Sequence, residues 1–166
     1  VQQTAPAPVE VVVPPALMIR TSRRCNTADQ IAGAMGDAFA ALTAYAGRHA
    51  LQCAGPPRAI YTSWGAQGTE FTVAMPIPVP GSPALPEEGV SVATIPGGHM
   101  LRFTHTGRYD EVAGTYEQIA HWLRDAGLMK TEADWSRFMP MWEEYLNDPN
   151  STPASELLTY IYLPKH

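Results

Sequence analysis

Val13-Pro14-Pro15-Ala16-Leu17-Met18-Ile19-Arg20 returns further along the chain as Ile95-Pro96-Gly97-Gly98-His99-Met100-Leu101-Arg102. In both stretches an aliphatic residue meets a proline, and a methionine, an aliphatic residue and an arginine follow. Ile31-Ala32-Gly33 then finds a counterpart in Val112-Ala113-Gly114, Tyr61 in Tyr145, and Met75-Pro76 in Leu163-Pro164. Similar residues recur in one order at a spacing of about 80 to 90 positions, the mark of two copies of one supersecondary unit. Two copies around a pseudo-twofold axis enclose a cleft, where one lobe can keep the scaffold while the other acquires chemistry.

The segments between these landmarks repeat as well. Val11 to Val13 and Leu17 to Ile19 flank Pro14-Pro15 and predict a strand bent or interrupted by the prolines, near a sheet edge. Thr27 with Gln30 is a capping-box pattern, and Ile31, Met35, Phe39, Leu42 and Tyr45 follow at steps of three and four. That spacing predicts an amphipathic helix, which Gly55-Pro56-Pro57 must break. Ala59 to Trp64 reads as a strand, Gly65 to Gly68 as a turn, and Phe71, Val73, Met75 and Ile77 alternate as a second strand. The second copy runs the same course. Val90 to Ile95 and His99 to His105 flank Gly97-Gly98, and Val112, Tyr116, Ile119 and Leu123 mark a helix from about Asp110 to Ala126, stopped by Gly127. Met141 to Leu146 and Leu157 to Leu163 complete it as strands.

The predicted fold class is therefore α+β: duplicated β-α-β-β units over about 9–79 and 90–164. A proline-rich linker over about 80–89 joins them. An antiparallel-rich sheet carries both long helices on one face, with a ligand cleft at the centre.

A chain of 166 residues suits one compact domain, here 9–166, preceded by a Pro/Ala-rich tail over 1–8. The formal charge of −5 argues against direct nucleic-acid binding by this segment, because such surfaces carry a basic stripe. Arg20, Arg23 and Arg24 form the one basic cluster in the sequence and read as a solvated strand end. Cys25 and Cys53 flank the first helix, about 40 Å apart at 1.5 Å rise per residue, which excludes a bridge between them. The five histidines are scattered, so no metal site or cofactor is expected. No apolar stretch approaches the ~20 residues of a membrane span. The expected location is the cytoplasm, or the periplasm or exterior if Val1 follows a removed signal peptide.

Met141-Trp142-Glu143-Glu144-Tyr145-Leu146 is the most unusual segment. Side chains alternate along a strand, so Met141, Glu143 and Tyr145 share one face while Trp142, Glu144 and Leu146 take the other, which reads as core. Glu143 then lies beside a tyrosine and a methionine, where a carboxylate needs a cation or hydrogen-bond donors as compensation.

Trp142-Glu143-Glu144-Tyr145-Leu146-Asn147-Asp148-Pro149, the downstream Thr152-Pro153 and the ending Thr159-Tyr160-Ile161-Tyr162-Leu163-Pro164 resemble the GyrI-like (gyrase-inhibitor-like) effector-binding family. His105-Thr106-Gly107-Arg108-Tyr109 and Trp122-Leu123 also match its pattern, and the first half matches as a weaker copy. The resemblance implies a central cleft for small, often lipophilic and cationic molecules, with Glu143 facing it. Glu144 departs from the family, which usually has an apolar residue there. The expected ligand-binding residues are Glu143, Tyr145, Tyr61, Trp64, Met141 and Tyr109, with a small molecule as partner. Alternatives are a hydrolase of reactive small molecules in which Glu143 acts as general acid or base, and an inhibitor-like protein-interaction module.

Overall fold

The computed structural model describes residues 7–65, 67–78, 87 and 89–165. Most of the tail at 1–8 and of the linker at 80–89 lies outside them. The chain runs β1 (Val9–Val13), β2 (Ala16–Cys25), α1 (Ile31–Arg48), β3 (Arg58–Ser63), β4 (Thr69–Pro76), β5 (Ser91–Ile95), β6 (Gly98–Thr106), α2 (Val112–Asp125), β7 (Met141–Tyr145) and β8 (Leu158–Pro164). Eight antiparallel strands form one sheet in the order β1-β6-β8-β7-β3-β4-β2-β5. Each repeat contributes a three-stranded block, β2-β4-β3 with α1 and β6-β8-β7 with α2. The blocks join where β3 pairs with β7, with Arg58 opposite Glu144, Ala59 opposite Glu143, Ile60 opposite Trp142 and Tyr61 opposite Met141.

The prolines do more than bend a strand. β1 adds to β6 of the second repeat, and β5 adds to β2 of the first, so each repeat lends its leading arm to the other. The pairs Val13–Gly98 and Ile95–Ala16 are images of one another under the duplication. β1 and β2 are joined only by Pro14-Pro15, yet five strands separate them in the sheet. A flat sheet would put them about 29 Å apart at about 4.8 Å per strand, and so short a link reaches only about 10 Å. The sheet must curl until its two ends approach.

At the crossing of the two links, Gly97 lies against the backbone of Val13 and Pro14. A Cβ there would stand 1.8 Å from the Val13 carbonyl oxygen, and glycine alone permits that approach.

Both helices pack on one face. Leu42 and Tyr45 of α1 and Ile119 and Leu123 of α2 share a single core with Ile19, Val73, Phe103 and Leu163 from the strands. The opposite face holds a smaller apolar cluster that draws on all eight strands, from Val13 and Ile95 at the edges to Ile60 and Trp142 in the middle.

The helix ends differ from the sequence reading in detail. A short 3₁₀ turn, Ala28–Gln30, precedes α1, and Thr27 makes no side-chain cap bond. Instead the Gln30 Oε1 accepts from the Asn26 backbone N–H at 2.9 Å. The helix stops at Arg48, well before Gly55, because Ala50 takes a left-handed φ of 52°. Leu51 N–H then bonds back to the Ala46 carbonyl at 2.9 Å, closing a Schellman motif. α2 ends the same way, with Gly127 at φ 76° and Leu128 N–H on Leu123 O at 2.8 Å. The first copy thus uses alanine where the second has glycine.

Two expected outcomes follow from these backbones. Gly97→Ala forces the crossing links apart and lowers unfolding stability by about 1–3 kcal/mol or more, as other overpacking substitutions do. Ala50→Gly relieves a left-handed alanine and raises stability by roughly 0.5–1 kcal/mol. Urea unfolding of both variants checks the pair, and a neutral Gly97→Ala would contradict the close crossing.

Candidate functional site

The two helices flank the seam between β3 and β7, and Glu143 sits in the middle of it. The cross-strand register makes Ala59 the image of Glu143 in the first repeat, and Tyr61 the image of Tyr145. The duplication therefore supplies tyrosines from both copies but a carboxylate from only one. Glu143 is 6% exposed. Its Oε2 accepts from the Tyr116 hydroxyl at 2.7 Å and its Oε1 from the Tyr145 hydroxyl at 2.9 Å.

Each phenol is held from behind. Tyr145 closes β7, where its backbone N–H donates to the Pro57 carbonyl at 3.1 Å, and the Phe39 ring of α1 meets it edge-on at 5.9 Å. Tyr116 projects from α2 and meets the Trp135 ring at 6.0 Å. Trp135 belongs to a 3₁₀ segment, Glu132–Phe138, that begins with a reciprocal capping box between Thr131 and Asp134. The indole N–H of Trp135 donates to Glu132 at 3.1 Å. His105 is buried close by. Its Nε2 donates to the Arg108 carbonyl at 2.8 Å and its Nδ1 is hydrogen-bonded to the Thr115 hydroxyl at 2.6 Å.

Electrostatics follow from this burial. Desolvation pushes the Glu143 carboxyl above its ordinary range, while the two phenol hydrogen bonds and His105 pull it back in part. Burial first, and then the Glu143 charge, push the Tyr61, Tyr116 and Tyr145 phenols upward, so all three stay protonated donors at neutral pH. Among the described residues no lysine or arginine pairs with Glu143. A buried carboxylate with phenols around it has the chemistry to hold a cation or pass a proton. The buried, free Cys25 thiol lies near enough to Tyr61 to influence it.

The residues singled out in the sequence divide in three ways. Glu143, Tyr145, Tyr61 and Met141 share the helix-side face of the seam, with Met141 buried opposite Tyr61. Trp64, 52% exposed, meets Tyr61 edge-on at 5.5 Å, and Tyr109, 36% exposed, meets Tyr145 at 5.3 Å. An open depression of about 510 Å³ lies beside Trp64 at the β3–β4 hairpin, lined also by Arg24, Gln67 and Glu70, and it does not include Glu143. Glu144 points to the other face, beside Arg58. Tyr116, Phe39 and Trp135 are the members that sequence reasoning missed. Tyr116 and Phe39 stood in the apolar helix stripes, where periodicity marks burial but is blind to a hydroxyl. The Thr131/Asp134 capping pattern was a visible pointer to the Trp135 segment.

Among curated protein sequences none matches this chain. Solved structures match it in fold at low identity. EcmrR, in a cryo-EM structure of its DNA complex, matches with a TM-score of 0.72 and 13% identity over 94% of this chain, which spans 56% of that one. The isolated EcmrR C-terminal domain matches at 0.66 with 14% identity, over 94% of each chain. SAV2435 bound to tetraphenylphosphonium matches at 0.60 with 11% identity, over 95% of this chain and 92% of that one. A hydrolase from Listeria innocua matches at 0.57 with 13% identity, over 98% and 93%. Likeness at this identity speaks for the fold alone. The family model of the GyrI-like small molecule binding domain, however, matches residues 15–165. With this coverage, and with two β-α-β-β repeats meeting at a carboxylate, the chain belongs to the GyrI-like small-molecule-binding domain family.

Proposed function

We propose that the seam between β3 and β7 binds a small lipophilic cation, with Glu143 as counter-charge and Tyr61, Tyr116, Tyr145 and Tyr109 as aromatic walls. The observation that carries this reading is a buried carboxylate held by two phenols and, among the described residues, by no lysine or arginine. Burying a carboxylate without a cation is unfavourable, and a bound cation removes that cost. Aromatic faces add apolar area and cation–π attraction. The match to SAV2435 bound to tetraphenylphosphonium supports the same class. Because Glu143 is nearly inaccessible, ligand entry requires the outer aromatics to part. Tyr109 and Trp64 are the exposed members that can do so.

A second reading rests on the same carboxyl. A carboxyl whose affinity for its proton is raised, with phenols 2.7 and 2.9 Å away, has the equipment for general acid–base hydrolysis. The fold likeness to the Listeria innocua hydrolase supports it. The two readings part at Glu143→Gln, which keeps the shape and removes both charge and proton exchange. In a binding domain a cation loses about tenfold or more in affinity, about 1.4 kcal/mol, while a neutral analogue of the same shape is nearly unaffected. In a hydrolase turnover falls by about a hundredfold or more while substrate binding survives. Glu144→Gln, on the opposite face, leaves cation affinity within about twofold. Titration of tetraphenylphosphonium and a neutral tetraphenyl analogue makes the comparison, and equal loss of both after Glu143→Gln would refute the counter-charge role.

The raised Glu143 pKa fixes two signs. A group whose folded pKa lies above its unfolded value favours folding most below the unfolded pKa, and that contribution is lost as pH rises through the folded pKa. Once pH has risen through its folded pKa, the buried Glu143 carboxylate thus no longer favours the fold. Glu143→Gln is expected to raise the melting temperature of the ligand-free protein at pH 7, with the gain shrinking toward pH 4. Cation affinity has the opposite dependence: it falls as pH drops through the Glu143 pKa, and binding in that range releases a proton. Calorimetry in buffers of different ionisation enthalpy measures the release, and its absence across pH 4–7 would contradict the assignment.

A further inference from the structure

The sheet face opposite the helices is not simply an apolar floor. Arg58, only 7% exposed, stands there with its guanidinium 4.9 Å from the Trp142 ring centre, and Trp142 stacks on Tyr162 at 5.2 Å. The Arg102 guanidinium lies 4.3 Å over the Tyr160 ring. Glu144 is the acidic group among them. Its Oε1 accepts from the Tyr162 hydroxyl at 3.3 Å, and its Oε2 lies 3.5 Å from Arg58 Nε without hydrogen-bond geometry.

Four buried atoms on this face have no hydrogen-bond partner among the described residues: Arg58 Nε, Arg58 Nη1, Arg102 Nε and Trp142 Nε1. All four are donors. Within the aromatic cluster the two guanidiniums Arg58 and Arg102 stand against one carboxylate, Glu144, and the exposed Arg20 on the same face adds to the positive excess. Buried donors without acceptors are rare in native proteins and point to a missing water, ion or ligand. Thr104, Tyr160, Glu144, Arg58, Ala74 and Arg20 form one cross-strand row on this face, and Thr104 and Arg20 at its ends are exposed.

We propose that this face is a second small-molecule site, selective for a monoanionic aromatic carboxylate. The carboxylate oxygens accept from Arg58 and the Trp142 indole N–H, and the ring lies among Tyr160, Tyr162 and Trp142. Negative charge matches the positive excess, acceptor oxygens match the unpaired donors, and a planar ring matches the aromatic walls. The two faces of β7 then read opposite charges, Glu143 a cation and the Arg58 side an anion. The second site stands on its own geometry and holds whether or not Glu143 binds a ligand.

The test is titration of the intact chain with benzoate, benzamide and acetate, followed by calorimetry and by the indole N–H resonances in ¹H–¹⁵N spectra. Trp142→Phe identifies the Trp142 signal. Benzoate is expected to bind saturably, at least about tenfold more tightly than its neutral isostere benzamide and than acetate, and to shift the Trp142 indole proton downfield. Arg58→Met should weaken benzoate by at least about tenfold. If Arg58→Met does not fold, the wild-type titrations still decide. Benzamide binding as well as benzoate would overturn the anion preference, and acetate binding as well would overturn the aromatic class. Saturable benzoate binding that leaves the Trp142 resonance unmoved would place the anion elsewhere and leave these donors to water.

Discussion

The approach of the Gly97 backbone to the Val13 carbonyl is where both repeats are tied together. Each leading arm crosses to the other repeat through a two-residue link, and the two links pass within contact distance. That crossing draws the ends of an eight-stranded sheet toward one another. The curl gives the sheet one face that both helices cover and a second that wraps a small cluster of its own. Without the exchange of arms, the repeats would meet only along the β3–β7 seam, and each block would keep an open edge. The seam can carry polar chemistry because its stability does not rest on its own side chains.

Near-symmetry of the backbone sharpens the asymmetry of the side chains. Ala59 and Glu143 face each other across the seam in equivalent places, yet only Glu143 is charged. Two carboxylates so close would repel, and one would hold a proton. An alanine opposite avoids this and leaves room for the phenols of Tyr116 and Tyr145 to reach both carboxylate oxygens. The first copy acts as scaffold and contributes Tyr61 and Phe39, whereas the second supplies the charge. Every GyrI-like inference about this chain turns on that division.

How much of this was legible in the sequence can be judged residue by residue. The spacing of Ile31, Met35, Phe39, Leu42 and Tyr45 announced α1, and the paired Val-Pro and Ile-Pro landmarks announced the duplication. Strand parity alone put Glu143 and Tyr145 on one face and Glu144 on the other. The exchange of arms was out of reach, because prolines reveal a break but not which distant edge the freed segment joins. The segment Glu132–Phe138 escaped notice because a short 3₁₀ run has no amphipathic period of its own. Tyr116 was seen as a packing position, since its hydroxyl matters only once α2 lies over β7. Arg58 fell just before the strand read from Ala59 to Trp64, and its burial against Trp142 depends on the pairing of β3 with the distant β7.

The adjacent Glu143 and Glu144 carry a consequence for folding. In most strands with a buried face, a one-residue misalignment is heavily penalised because it exchanges polar and apolar side chains. In β7 a slip that carries Glu144 into the place of Glu143 keeps a carboxylate there, while Glu143 takes the place of Trp142 on the face of Arg58. The charges therefore offer little discrimination between the native pairing and this decoy. The burden falls on the aromatics, above all Trp142 stacked on Tyr162 and Tyr145 wedged between Phe39 and Tyr109. The rings that shape both faces are thus also the proofreaders of strand alignment, and a chain that trades them for smaller residues courts a kinetic trap.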